Sequence, residues 1–223
     1  MTDRSFYRES TLHTVERLLE LPERSPVLLL FSGGVDSTVL LYIALARKLE
    51  VRALECFYSG RPDEESRRGR ALSLGLPIEL YQVSYPGVFI GNQQTDLTLA
   101  ETNAFYYTTA SNLAVKIGAR FVLGGQILND WSGNPTPNAT PEYYDLLHDI
   151  LRREFGNCAP TLMLPFLWLG KEEVVRMGKE LGVPFEQTWS CTERVAQACG
   201  VCSQCRERRE AFARNGIVDQ IWV

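Results

Sequence analysis

Long apolar runs are missing from this chain. None of its 223 residues sits in a stretch approaching the ~18 uninterrupted apolar residues that a membrane-crossing helix needs. Met1 to Ser10 carry Asp3, Arg4, Arg8 and Glu9 around no apolar segment, which is not the pattern of a secretory leader. A cytoplasmic protein with no membrane association is expected. Cations are not in excess either: 23 Lys and Arg stand against 27 Asp and Glu, a formal net charge of −4. A chain that grips a nucleic-acid backbone would cluster its basic residues on one surface. The runs Arg67-Arg68-x-Arg70 and Arg206-x-Arg208-Arg209 read as solvated helix faces, so a small molecule is the expected partner and nucleic acid is not. Histidine is scarce. His13 and His148 each fall on an expected helix without a partner motif and read as structural or solvated. Repeats and low-complexity tracts are also missing.

What remains is ordinary globular material, 45% hydrophobic and 22% charged, with length for one full-sized unit. Leu12, Val15, Leu18 and Leu19 recur at helical spacing and Pro22 stops them, which predicts an amphipathic helix capped by Ser10 or Thr11. The unbroken run Val27 to Phe31 ends at Ser-Gly-Gly and suits a central strand buried on both faces. Helix and strand then alternate: helix from Thr38 to Leu49, strand Val51 to Phe57, helix Asp63 to Leu74, strand Ile78 to Val83, helix Asn103 to Ile117, strand Arg120 to Leu123. Further helices are expected at Pro141 to Arg153, Lys171 to Leu181 and Gln204 to Arg214. This alternation predicts an α/β fold, a doubly wound and mostly parallel sheet with ligands at the carboxyl ends of its strands. Gly91 to Leu99 is polar enough to be a mobile loop, and Gly124 to Thr140, rich in Gly, Asn and Pro, is a loop long enough to suggest function. The aromatic patch Phe105-Tyr106-Tyr107 reads as core. The apolar tail Ile217 to Val223 reads as a docking segment, on its own body or on a second subunit of a homodimer.

Two motifs carry chemistry. The first is Ser32-Gly33-Gly34-Val35-Asp36-Ser37, set between the central strand and a helix. Two glycines let the backbone turn its N–H groups inward, the helix N-terminus adds partial positive charge, and Ser32 and Ser37 add hydroxyls, which together make an anion cradle. No Gly-Lys-Ser/Thr follows, so this is not a Walker loop. The second is Cys191, Cys199, Cys202 and Cys205, spaced C-x7-C-G-x-C-x2-C. A reducing compartment disfavours disulfides, and a redox pair would use only two of the four. Four thiolates at this spacing suit one tetrahedral Zn2+ with no open position, a structural site. Cys56 and Cys158 have apolar neighbours and read as buried packing.

The hexapeptide resembles the pyrophosphate loop of the ATP-pyrophosphatase (PP-loop) superfamily. The resemblance implies that the loop holds the β- and γ-phosphates of ATP while the α-phosphate is attacked, with Asp36 positioning Mg2+. Loop and cysteines in one chain are together similar to the QueC family, 7-cyano-7-deazaguanine synthases. Its zinc segment is matched by Thr188-Trp189-Ser190-Cys191 and by Cys199-Gly200-Val201-Cys202-Ser203-Gln204-Cys205-Arg206-Glu207-Arg208, and its phosphate-contacting lysine by Lys171. The resemblance implies a Rossmann-like fold of the adenine nucleotide alpha hydrolase type, with 1–223 as one ATP-binding domain and 186–214 as its zinc subregion. It implies a ligase in which ATP adenylates the carboxylate of 7-carboxy-7-deazaguanine. Ammonia then gives the amide, and a second adenylation gives the nitrile.

Asp36, Lys171 and Asp130 are thereby the candidate catalytic residues. Ser32, Gly33, Gly34, Val35, Asp36, Ser37, Arg61, Gly125, Gln126 and Lys171 are the candidate nucleotide contacts. Arg61 follows the second strand in a segment similar to the family's Tyr-Gly-Gln-Arg. Gln126 follows Gly124-Gly125 at a strand end and would face a purine-like ring. Two segments depart from the family. Its Asp-x-Ser-Gly-Tyr-Pro-Asp-Cys-Arg is here Asp130-Trp131-Ser132-Gly133-Asn134-Pro135-Thr136-Pro137-Asn138, and its Pro-x-Arg-Asn is Ala100-Glu101-Thr102-Asn103. Both losses fall on the acceptor side. They leave open a defence-associated paralogue that joins the deazaguanine to a protein amine, a tRNA-thiolating enzyme, and a nucleotide sensor without turnover.

Overall fold

The run that begins at Val27 lies at the middle of a sheet. In the computed structural model, which describes residues 13–58, 64–85, 89–90, 93–94, 102–128, 137–193 and 197–222, β1 (Pro26–Leu30) pairs in parallel with β2 (Glu50–Tyr58) on one side and β6 (Phe121–Leu123) on the other. Strand β3 (Glu79–Tyr85) extends the sheet beyond β2, and β7 (Thr161–Met163) beyond β6, giving the order β3-β2-β1-β6-β7 with every pairing parallel. A two-stranded antiparallel ribbon, β4 (Phe89–Ile90) with β5 (Gln93–Gln94), stands apart from it.

Both faces of β1 are buried, which is why its sequence does not alternate. Val27 and Leu29 point into a cluster with α2 (Val35–Ala46), α6 (Lys171–Glu180) and α7 (Ser203–Arg214). Leu28 points the other way, against α4 (Asn103–Ile117) and α5 (Pro141–Phe155). Helix α3 (Glu64–Leu74) adds Leu72 to the first cluster. Chain order reverses at β1, since β2 lies to one side and β6 to the other. The crevice outside their carboxyl ends is where such sheets receive ligands.

Several expectations need correction. Helix α1 (Val15–Leu19) is capped by Thr14, whose hydroxyl accepts from the Arg17 N–H; Ser10 and Thr11 lie outside the described residues. Helix α2 starts at Val35, three residues earlier than expected, because Gly34 is already extended and serves as its cap. Strand β7 went unforeseen, because it stands outside the regular strand–helix alternation, and its three residues pair in parallel with β6. Cys158 is exposed, because it ends a 3-10 turn, Gly156–Cys158, and the apolar residues after it belong to β7. Cys56 is half-buried. Arg208 is no solvated face; it is completely buried, paired with Asp219. That pair docks the tail on the chain's own body, helped by Arg209 stacked on Trp222. No helix of the described residues is long and apolar enough to cross a membrane.

Candidate active site

The phosphate loop owes its shape to close backbone packing. Gly33 has φ +87°, and a Cβ there would lie 2.7 Å from the Gly69 Cα and 2.8 Å from the Glu65 carbonyl oxygen of α3. Only glycine meets both demands. Within the loop, Ser32 Oγ accepts from the Gly34 N–H at 3.2 Å, and Ser37 Oγ donates to the Gly34 carbonyl at 3.2 Å. The two hydroxyls are 3.2 Å apart, so the serines brace the turn as well as facing its mouth. With Gly34 as cap, the N–H groups of the first turn of α2 have no intrahelical acceptor, which leaves them available to an anion.

Lys171 reaches this loop from the first residue of α6, where Gly170 is the cap and Glu173 accepts the Gly170 N–H at 2.7 Å. Its Nζ lies 2.5 Å from Asp36 Oδ2, and Asp36 Oδ1 is buried without a hydrogen-bond partner. Gly125, just past β6, covers the Asp36 backbone so tightly that a Cβ would sit 3.1 Å from its carbonyl carbon. The Gln126 side-chain oxygen accepts the Tyr107 hydroxyl, which fixes that amide at the cavity wall. Burial holds Tyr107 well above the ordinary phenol range, so it stays a donor.

These groups share one cavity of about 540 Å3, a volume suited to a nucleotide-sized ligand. Ser32, Gly34, Val35, Asp36, Ser37, Gly125, Gln126 and Lys171 line it, and Gly33 sits behind them packed on α3. Asp130 and Arg61 lie outside the described residues, as does most of the polar segment at 91–99. Sequence reasoning missed part of the wall: Asn103 and Tyr106 from the start of α4, and Ser190, Thr192, Gln204 and Glu207 from the cysteine segment. For Ser190, Thr192, Gln204 and Glu207 the signal is adjacency to the cysteines, whose segment reads as a metal site; Asn103 is the residue kept from the family's Pro-x-Arg-Asn, and Tyr106 stands in the aromatic patch that reads as core.

The four cysteines converge. Their Sγ atoms all lie within 4.8 Å of one another, and Cys199 and Cys205 are 3.9 Å apart. A tetrahedron of sulfurs ~2.3 Å from one ion has edges of ~3.8 Å, so the cluster is the right size for a single metal. Backbone N–H groups of Cys199, Cys202 and Cys205 each point at the preceding cysteine sulfur at 3.4 Å, and Gly200 turns the knuckle with φ +74°. Burial pushes the Cys202 thiol up, but hydrogen bonds from Thr192 and Cys205 outweigh it and bring it down to about 6. Burial raises Cys191 and Cys205. The knuckle touches the phosphate loop through Trp189: its N–H donates to the Gly33 carbonyl at 3.1 Å, and its indole N–H to the Cys191 carbonyl at 3.0 Å.

The model of the family described as queuosine biosynthesis protein QueC matches residues 26–216. A 7-cyano-7-deazaguanine synthase from Methanoculleus marisnigri is 32% identical over 218 residues, covering 86% of this chain and 96% of that protein. One from Nostoc punctiforme is 30% identical over 219 residues, covering 86% and 97%. Among solved structures, NMN synthetase from Francisella tularensis aligns over 91% of this chain and 85% of that one, with 16% identity and a TM-score of 0.49.

Proposed function

The chain belongs to the QueC family, and from that premise we propose that it is an ATP-dependent, AMP-forming ligase that adenylates the carboxylate of 7-carboxy-7-deazaguanine for attack by ammonia. The amide formed is activated a second time, and loss of AMP leaves the nitrile. The observation that carries the reading is the meeting of the phosphate loop, Lys171 and the unpartnered Asp36 Oδ1 in one cavity at the point where sheet order reverses.

The chemistry follows from these groups. A carboxylate oxygen is a poor leaving group, and AMP makes it a good one. The loop N–H groups and the α2 terminus hold the β- and γ-phosphates, so that charge developing on departing pyrophosphate meets donors already in place. Lys171 lines the same cavity as Asp36, so its ammonium would be available to the phosphates of a bound nucleotide. Asp36 Oδ1 is the oxygen that would hold a Mg2+ arriving with the nucleotide, an ion that supplies neutralisation of the pyrophosphate. Asp36, Glu55, Glu65 and Glu207 line the cavity against Lys171, an acidic balance that suits a polyanion carried in with its cation. Gln126, its oxygen engaged by Tyr107, offers its N–H groups to a ring acceptor. Asp130 and Arg61 are assigned to the acceptor and nucleotide sides from their motifs alone. We assign Zn2+ to the four cysteines: thiolates in a closed tetrahedral set favour it, and no fourth position is left for water.

A second reading rests on the altered segment Asn134 to Asn138, which lacks the family's Asp-Cys-Arg. In it the enzyme stops at the amide and the nucleophile is an amine of another protein. One assay separates the readings: AMP and pyrophosphate release with 7-carboxy-7-deazaguanine, with and without ammonium. Ammonium-dependent nitrile supports the first; AMP release without nitrile, with deazaguanine recovered on a protein amine, supports the second. No AMP with any acceptor refutes both.

A further inference from the structure

Helix α7 carries an arginine with every N–H donor engaged. The Arg208 guanidinium meets the Asp219 carboxylate edge to edge, Nε to Oδ2 at 2.6 Å and Nη2 to Oδ1 at 2.9 Å. Nη1 donates to the Thr188 carbonyl at 3.2 Å and to the Thr188 hydroxyl at 2.9 Å, and Nη2 donates to the Phe185 carbonyl at 2.9 Å. The group also lies over the Phe212 ring, 4.7 Å from its centroid. Mere filling of this space would be met by an apolar side chain with a smaller desolvation cost. A guanidinium adds a rigid fork that fixes two separate pieces of chain at once.

Those two pieces are the tail, through Asp219, and the strip from Phe185 to Trp189. Thr188 is extended, and its successor pairs with the phosphate loop: the Trp189 N–H donates to the Gly33 carbonyl, and Trp189 and Gly34 form a parallel bridge. From α3, Arg68 holds the same strip by donating to the Glu186 carbonyl at 2.7 Å and lying 4.9 Å over the Trp189 ring. Arg208 itself does not line the cavity.

We propose that Arg208 is a positioning residue for the phosphate loop: with Asp219 as its counter-ion, it sets Thr188 so that Trp189 pairs with Gly33 and Gly34 and keeps the loop in its anion-binding shape. The effect on nucleotide rests on the reading of that loop as the ATP site; the effect on pairing does not. The test uses the full-length, metal-loaded protein and its variants Arg208→Gln, Arg208→Lys and Asp219→Asn. Three quantities are measured: bound metal, hydrogen exchange at the Trp189 amide, and MgATP affinity by calorimetry. Arg208→Gln is expected to keep its metal while Trp189 exchanges about 10-fold faster and MgATP binds about 10-fold more weakly, the scale of one lost charge-assisted hydrogen bond. Arg208→Lys is expected to rescue neither, because an ammonium cannot make the fork. Wild-type exchange and affinity in folded Arg208→Gln or Asp219→Asn would overturn the proposal, as would metal loss in step with affinity. Should Arg208→Gln not fold, Asp219→Asn decides on the same readouts. If the wild-type chain fails to bind MgATP, the assigned function falls, and Trp189 exchange alone decides the positioning role.

Discussion

Replacing Gly33 by alanine should damage this protein more than any other glycine-to-alanine change in its phosphate loop, and two causes can be separated. The first is conformational: with φ +87°, a Cβ at residue 33 adopts the left-handed region at a cost of ~1–2 kcal/mol. The second is contact: the new methyl would lie 2.7 Å from the Gly69 Cα and 2.8 Å from both the Gly69 nitrogen and the Glu65 carbonyl oxygen. All three atoms are backbone, so α3 itself must move, which costs a further ~1–3 kcal/mol. Gly33→Ala should therefore lose about 3 kcal/mol. Gly118→Ala isolates the first cause, having φ +74° and no atom within 4 Å, and should lose about 1 kcal/mol. Gly34→Ala isolates mild contact, because its closest neighbours, Glu65 Oε1 at 3.0 Å and Ser32 Oγ at 3.2 Å, belong to side chains that can turn aside. Its loss should stay under about 1 kcal/mol. Urea unfolding with an unchanged m-value measures all three, and MgATP calorimetry follows the loop. Gly118→Ala should bind nucleotide normally and Gly33→Ala should not. If Gly33→Ala matched Gly118→Ala within ~0.5 kcal/mol, the claimed packing of loop on helix would be wrong.

Other outcomes follow from the same geometry. Lys171→Ala should lower kcat/KM for ATP by roughly 10²–10³-fold with the fold intact, the scale for one preorganised donor, and Asp36→Ala should abolish AMP release. Cys202→Ser should lose bound metal, measured by elemental analysis, and lower Tm, because three thiolates and a hydroxyl no longer close the tetrahedral set. His13 protonates at lower pH than a surface histidine: burial, with some help from His148, lowers it from 6.5 to about 4. Its Nδ1 accepts the Leu164 N–H, so the folded state holds the neutral ring. The unfolded chain binds this proton more readily, so the contribution of His13 is complete above about pH 6.5 and is lost as pH falls toward 4. His13→Gln should flatten the stability profile across that window in pH-dependent urea unfolding.

Legibility in the sequence followed the range of the causes. The strand at Val27 showed because parallel strands buried on both faces carry unbroken apolar runs, and the knuckle because four cysteines lie within fifteen residues. Residues Ser32 to Ser37, Gly125, Gln126 and Lys171 were nameable from motifs and strand ends, and they meet at one cavity. Arg208 reads as solvated because it stands in a basic run with Arg206 and Arg209, yet it shares the buried face of α7 with Cys205, Ala211 and Phe212. Its burial is made possible by Asp219 and the Phe185 and Thr188 carbonyls. Among the described residues, strand β7 pairs only with β6, from which α5 separates it along the chain. Glu207 and Gln204 escaped because only the folded knuckle brings α7 to the cavity mouth.

The central claim is that an oxygen of the acceptor is adenylated, and isotope transfer tests it directly. With 7-carboxy-7-deazaguanine labelled with ¹⁸O in both carboxylate positions, attack on the α-phosphate carries one label into each AMP, read by mass spectrometry of the nucleotide. The first AMP should leave with one ¹⁸O as the amide forms, and the second should carry the other as the nitrile forms. Unlabelled AMP, or label found in inorganic phosphate beside ADP, would contradict the account.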